Sequence, residues 1–412
     1  MDLKSTLKTI IADFHARGIP EFVTRDVQIP LESGKIITLI GPRRAGKTYL
    51  LYETMARIDD LTNVLYLNFE DERLSFDSEH LNAILEAYFE LYPNKHEDEL
   101  FIFFDEIQET PGWERFVRRI YDTITRRIFI TGSSAKVLST EIASALRGRA
   151  ITYEVYPLSL REYLRFSQIP EDLTSTKGRA KVMHAFERYI ERGGFPETVL
   201  MDDETYRKTM KSYFDVMLYR DVIERHSIAN PTIREFLKHL VTNTGKEFSV
   251  NRVYNDFTSR GFKVSKDSLY EYLSYFEDAF VVLTLENYAV SQRKRARKAY
   301  TIDTGLSRLF SLSEDRGRML ETIVFLELKR RGRSVHYHRN GAECDFIVSD
   351  EGVEAIQVCS ELTEANEDRE REGLANAMKR FKLDRGTIIT VDVKREDRIR
   401  FVPIVDWLLS EP

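Results

Sequence analysis

The sequence predicts an α/β fold: a parallel β-sheet with helices on both faces, built by strands and helices that alternate along the first third of the chain. Three observations carry that expectation. Residues 35–51, K-I-I-T-L-I-G-P-R-R-A-G-K-T-Y-L-L, place an apolar, β-branched run directly before G-x-x-x-x-G-K-T and a helix-compatible stretch. Residues 100–106, L-F-I-F-F-D-E, end a second continuous apolar run on two carboxylates. Around them helical and strand patterns alternate, which fits crossover connections between parallel strands.

Length and composition bound the rest. A chain of 412 residues exceeds one hydrophobic core and predicts several modules. With 42% hydrophobic and 31% charged residues it reads as an ordinary globular chain. No apolar run approaches the roughly 18 residues that a membrane span needs. Cys344 and Cys359 are too few for a metal cluster or a disulfide framework, and no signal peptide is visible, so a cytoplasmic location without membrane contact is expected. The net charge of -6 argues against global attraction to nucleic acid and leaves local patches to supply it.

Taking the elements in order, Leu3, Leu7, Ile10, Ile11 and Phe14 fall at helical spacing, and Ile36 to Ile40 form the first strand. Gly41 and Gly46 let the next loop curl its N–H groups toward phosphate oxygens, and the helix it opens adds its positive end. Gly41, Pro42, Arg43, Arg44, Ala45, Gly46, Lys47 and Thr48, with Tyr49 beyond them, are therefore the expected ATP contacts. Lys47 would reach the terminal phosphates and Thr48 would hold magnesium. Val64 to Phe69 reads as a second strand, Ser78 to Leu91 as an amphipathic helix and Leu100 to Phe104 as the third strand. Asp105 at its tip is expected in the magnesium shell, and Glu106 as the general base acting on water. Arg127 to Ile130 is the next strand. At its end Ser133 or Ser134 either hydrogen-bonds the water or the γ-phosphate, or caps the following helix. Arg147-Gly148-Arg149 precedes a last strand, Ile151 to Val155; an arginine there reaches a neighbouring subunit's γ-phosphate or is a solvated residue at a helix end.

Leu160 to Asn230 reads as a largely helical lid punctuated by Gly193-Gly194-Phe195-Pro196-Glu197. Ile233 to Thr242, Asn251 to Arg260 and Asp267 to Phe276 read as three helices, and Phe280 to Glu286 as a strand, an order that suggests a winged helix. Arg293, Lys294, Arg295, Arg297 and Lys298 fall where its wing would project; they either contact DNA phosphates or form a solvated basic hairpin on a winged helix used for protein contact. Acidic Asp267, Glu271, Glu277 and Asp278 on the would-be recognition helix argue against base reading. Further on, a helix over Arg316 to Arg331 carries Glu321, and successive strands carry Asp345 and Gln357. That constellation resembles the core of PD-(D/E)XK nucleases, which cluster carboxylates around magnesium and use a lysine. Here Gln357 stands at the second acid and Cys359 at the lysine, so the site is degenerate, with Lys379 or Lys382 as the candidate substitutes.

Taken together, G-P-R-R-A-G-K-T, D-E-I-Q with Trp113, T-G-S-S-A, R-G-R, Y-P-L-S-L-R-E-Y, G-G-F-P-E, Tyr219-Arg220-Asp221, K-A-Y-T-I-D-T-G-L and E-C-D-F resemble the AAA-type ATPases of bacteria and archaea that carry an uncharacterised C-terminal region. The resemblance covers nearly the whole chain and implies an arginine finger at Arg149, with Arg147 as the alternative. The expected plan is an ATPase core over 1–158, a helical lid over 159–230, a winged helix over 231–300 and a nuclease-like domain over 301–412. The expected activity is magnesium-dependent ATP hydrolysis by a homo-oligomer, with DNA as a partner of the wing. Its rivals are a non-hydrolysing nucleotide switch that recruits a protein, and an ATP-controlled DNA nuclease.

Overall fold

The computed structural model describes residues 2–74, 80–133, 146–288, 296–310, 315–350, 352–396 and 398–411. They divide into two compact units, Met1–Val155 and Tyr156–Pro412. The first is a three-layer α/β unit. Strands β1 (Ile36–Ile40), β2 (Val64–Asn68), β3 (Phe101–Asp105), β4 (Ile128–Gly132) and β5 (Ala150–Glu154) form one sheet in the order β2-β3-β4-β1-β5. Every pairing in it is parallel. Burial on both faces explains why β1, β3 and β4 read as continuous apolar runs rather than alternating ones. Phe103 and Phe129, neighbours on β3 and β4, stack at 4.5 Å inside the core.

Helix α1 (Leu3–Arg17) starts where the Asp2 carboxylate accepts the Ser5 N–H and buries Leu7, Ile10, Ile11 and Phe14, the positions its spacing marks out. Helices α2 (Lys47–Met55), α3 (Asn82–Leu91) and α4 (Trp113–Thr123) follow β1, β2 and β3 as crossovers. The expected start of α3 at Ser78 lies outside the described residues. The strand order has one consequence for the site: β4 is inserted between β1 and β3, so the tip of β4 lies between the ends of the strands that carry Gly41 and Asp105.

The second unit begins with helices α5 (Leu160–Phe166), α6 (Thr176–Arg192) and α7 (Asp203–Val216), and α7 runs on into a wider helix over Met217–Glu224. Helix α8 (Thr232–Thr242), strand β6 (Glu247–Phe248), helices α9 (Val250–Ser259) and α10 (Lys266–Asp278), and strands β7 (Val282–Glu286) and β8 (Arg297–Thr301) come next. Their antiparallel sheet has the order β6-β8-β7. After helices α11 (Thr304–Arg308) and α12 (Arg316–Arg330) comes a six-stranded mixed sheet. It comprises β9 (Val335–Asn340), β10 (Ala342–Val348), β11 (Glu354–Val358), β12 (Gly386–Thr390), β13 (Arg395–Glu396) and β14 (Ile399–Pro403), in the order β13-β14-β12-β11-β10-β9. Helix α13 (Glu364–Phe381) lies between β11 and β12 in the chain, and α14 (Ile404–Leu408) follows β14.

A buried aspartate explains why two glycine-containing motifs, over a hundred residues apart, belong to one structure. Asp303 Oδ2 accepts the Gly194 N–H at 2.6 Å and Oδ1 accepts the Gly305 N–H at 2.8 Å. Neither glycine leaves room for a side chain: a Cβ on Gly194 would meet the Leu158 carbonyl at 2.5 Å, and one on Gly305 the Tyr206 hydroxyl at 2.4 Å. Burial pushes the Asp303 carboxyl up to about 6, against the hydrogen bonds that favour its anion. Asp303→Ala would strand two buried N–H groups, and a loss of roughly 2 to 5 kcal/mol is expected in chemical denaturation. Wild-type stability in that variant would show that water replaces the carboxylate.

Candidate functional site

The loop after β1 has the backbone that its glycines allow. Gly41 sits at φ 154°, and a Cβ there would meet the Val155 carbonyl at 2.1 Å, so only glycine passes the end of β5. Arg44 at φ 64° and Gly46 at φ 97° complete the curl, and α2 starts at Lys47. From the preceding segment the buried Arg25 donates to the Ala45 carbonyl at 2.8 Å and braces the loop. No local pattern marks Arg25 for that role, because it lies in irregular chain far from the motif. Arg43 is paired with Glu70 at 2.7 Å, while Tyr49 is about half exposed.

Lys47 is buried. Its ammonium donates to the carbonyls of Gly41 and Pro42 at 3.0 and 3.1 Å and lies 3.5 Å from Glu106 Oε1. Thr48 donates to Asp105 Oδ2 at 2.7 Å. Thr131, on inserted β4, donates to Asp105 Oδ1 at 2.5 Å and accepts the Glu106 N–H at 2.9 Å. Tyr66 on β2 adds a longer contact to Asp105 at 3.3 Å. Loop, β3 and β4 are thereby tied together through one carboxylate.

The adjacent acids are driven in opposite directions. Burial, and then the charge of Glu106, push the Asp105 carboxyl up against the hydrogen bonds from Thr131 and Thr48. For Glu106 burial also acts upward, but the Lys47 ammonium, the Gln108 hydrogen bond and Arg43 outweigh it and hold the carboxyl below its usual range. Glu106 is thus an anion at neutral pH. It adopts φ 53°, uncommon for a residue with a side chain, and Gln108 Nε2 donates to its Oε2 at 2.6 Å.

The donor set suits magnesium, which takes hard oxygen ligands and is held by one or two carboxylates together with substrate phosphates. Thr48 Oγ1 and the Asp105 carboxylate supply such oxygens side by side. Among the described residues no group of three or more His, Cys, Asp or Glu is arranged to hold a metal without a substrate. Ser133 Oγ, just past the tip of β4, is buried with no hydrogen-bond partner among the described residues, which a polar ligand would supply. Ser134 lies outside the described residues. Arg149 stands elsewhere: its carbonyl accepts the Ile36 N–H at the start of β1, roughly 16 Å of strand before Gly41. Its guanidinium pairs with Asp122 at 3.0 and 3.2 Å. It therefore lies at the opposite edge of the sheet from its own loop.

The second unit brings Glu321, Asp345 and Gln357 together and corrects the reading of the basic run. Lys298, expected on a projecting wing, is 2% exposed on β8. Its ammonium lies 2.6 Å from Glu321, 2.7 Å from Glu343 and 3.3 Å from Asp345. A β-bridge between Asn287 and Tyr337 joins the end of β7 to β9, and Tyr337 donates to the Ala296 carbonyl beside β8. Sheet pairing has thus carried Lys298 inward, where carboxylates compensate its burial. Arg297 pairs with Glu286 across the same strands at 3.0 Å. Arg293, Lys294 and Arg295 lie outside the described residues. Lys379 and Lys382 are exposed, so the lysine inside the cluster is Lys298. Gln357 accepts the Asp345 N–H and donates to Glu370 at 2.9 Å. Glu343 comes from the E-C-D-F stretch, which the resemblance marks without giving Glu343 a role, and Glu370 joins the cluster without any signal in the sequence.

Comparison with known proteins agrees with the geometry. Residues 33–164 match the AAA domain family and residues 183–316 match a domain of unknown function, DUF8612. The strand order and loop define the first unit as an AAA-type ATPase domain. The chain is 38% identical over 412 residues to the uncharacterized protein MJ1544 of Methanocaldococcus jannaschii, covering 94% of this chain and 91% of that one. It belongs to the same family. An uncharacterized protein of Haemophilus influenzae is 28% identical over 390 residues, covering 91% of this chain and 94% of its own. Among solved structures, the Aeropyrum pernix ORC1 protein in complex with DNA aligns with 77% of this chain and 93% of its own, at 12% identity and a TM-score of 0.30. Among the described residues no helix is long and apolar enough to cross a membrane.

Lys298→Met should cost about 3 to 5 kcal/mol, the scale for removing one partner of a buried ion pair. Adding Glu321→Gln and Asp345→Asn should recover most of it. A single variant that melts with the wild type would show that the cluster contributes nothing to stability.

Proposed function

We propose that this protein binds ATP with magnesium in the loop from Gly41 to Thr48 and hydrolyses it with Glu106 as general base. The observation that carries the reading is the opposed pair: an anionic Glu106 beside Lys47, next to an Asp105 already joined to Thr48. Loop N–H groups and the start of α2 receive the phosphates. Lys47 exchanges its contacts with the Gly41 and Pro42 carbonyls and Glu106 for phosphate oxygens, which frees Glu106 to take a proton from water. Thr48 and Asp105 would hold magnesium, which supplies charge neutralisation at the phosphates when bound. Ser133 donates its unpartnered hydroxyl to the γ-phosphate or to the water.

Arg149, remote from its own loop, acts in this reading on a second copy of the chain in a homo-oligomer. The helices and small sheet from Thr232 to Thr301 follow the helix and strand order of a winged helix, and Arg293, Lys294 and Arg295 are left as its DNA contacts. Gln357 at the second acid and Cys359 at the strand position of the lysine favour an assembly role for the nuclease-like part over DNA cleavage.

Lys47→Ala is expected to abolish ATP binding, measured by calorimetry, because the phosphates lose the loop's buried cation. Glu106→Gln should bind ATP normally and turn it over at least about a hundredfold more slowly. Normal binding with no turnover in the wild-type protein would favour the nucleotide switch instead. With Arg149 acting in trans, turnover per subunit should rise with protein concentration and fall in Arg149→Ala. Concentration-independent turnover that survives this change would leave Arg149 a surface residue.

A further inference from the structure

Gln108, two residues beyond the general base, lies on the short turn Ile107–Glu109. Its amide nitrogen faces Glu106 Oε2 at 2.6 Å. The orientation of the amide is forced, since turning it over would set an oxygen against a carboxylate. The other end of the same group, Oε1, is buried and has no hydrogen-bond partner among the described residues. A buried acceptor without a donor is a standing cost that an apolar side chain of similar shape would remove. Ser133 Oγ, past the end of the strand whose Thr131 accepts the Glu106 N–H, also has no partner among the described residues. An orphaned acceptor on the side chain that holds the anionic base calls for a small molecule that offers donors, and water is that molecule.

We propose that Gln108 is a positioning residue for the attacking water, a role that rests on the hydrolytic reading of the loop. The amide N–H holds the Glu106 carboxylate in place, and the carbonyl oxygen takes one hydrogen of the water while Glu106 takes the other. A water held by both hydrogens turns its lone pair outward, toward the phosphorus. The water oxygen then bonds to the γ-phosphorus as the bond to the β–γ bridging oxygen breaks. The electron pair of that bond leaves on ADP, and the proton passes to Glu106 and on to the phosphate product.

Gln108→Met in the full-length protein tests this, because methionine keeps the length and loses both polar ends. ATP affinity should stay within about twofold while kcat falls about ten- to a hundredfold, the scale of a misplaced attacking group. In the nucleotide-free protein Tm should stay within about 2 °C of the wild type or rise, since the lost bond to Glu106 is offset by removal of the orphaned acceptor. On a Glu106→Gln background the same change should cost nothing further, because the two residues act as a unit. Turnover that Glu106→Gln destroys and Gln108→Met leaves intact would overturn the role of Gln108 alone. So would an equal loss on both backgrounds, or a fall in Tm accompanied by weakened ATP affinity. A wild-type protein that binds ATP and never hydrolyses it would overturn the hydrolytic reading first, and this role with it.

Discussion

The Asp105 carboxylate is the joint on which the first unit depends. One oxygen takes the Thr48 hydroxyl from the helix after the loop, the other takes the Thr131 hydroxyl from β4, and Thr131 in turn receives the Glu106 N–H. Insertion of β4 between β1 and β3 is what makes that geometry available. Without it Thr131 would have no place beside Asp105 and Glu106. The parallel ladder between β3 and β4 sets Phe103 against Phe129, whose rings stack at 4.5 Å within the core.

The second unit uses buried charge in the same structural way. Asp303 receives N–H groups from two chain segments whose glycines leave no space for anything larger. Lys298 gathers Glu321, Glu343 and Asp345 around one ammonium, and burial, which alone would discharge the lysine, is outweighed so that its pKa lies well above the ordinary value. Such groups are weak sources of net stability compared with apolar packing, yet removing one partner is expensive. They make the contact between β8 and the strands of the six-stranded sheet depend on particular residues rather than on general hydrophobicity.

The two acidic sites differ in a way that bears on chemistry. Beside Glu106 the Gln108 Oε1 has no partner among the described residues, and the two neighbouring carboxyls are shifted apart, an arrangement suited to a ligand and to a division of roles. Around Lys298 three carboxylates share one ammonium, and Gln357 spends both ends of its amide on Asp345 and Glu370. There burial together with Glu321 pushes the Asp345 carboxyl up to about 7.

What the sequence by itself determined were the features that depend on near neighbours. The loop curl, the apolar strands, the acids at the tip of β3, the helix order and the start of α1 rest on residue type at fixed short spacing. Periodicity and glycine placement encode these directly. Glu321, Asp345 and Gln357 were also legible, because the resemblance preserves their spacing along the chain. Only the tertiary structure decided which distant residues meet. Lys298 looked like part of a solvated basic run, since five charges in a short stretch normally face water. Pairing of β8 with β7, and their bridge to β9, turned it inward. Arg25 under the loop, Glu343 and Glu370 in the cluster, and the placing of Arg149 at the far edge of the sheet follow from strand order and register. Those are long-range properties, set by how a whole sheet closes its core, and no local spacing records them.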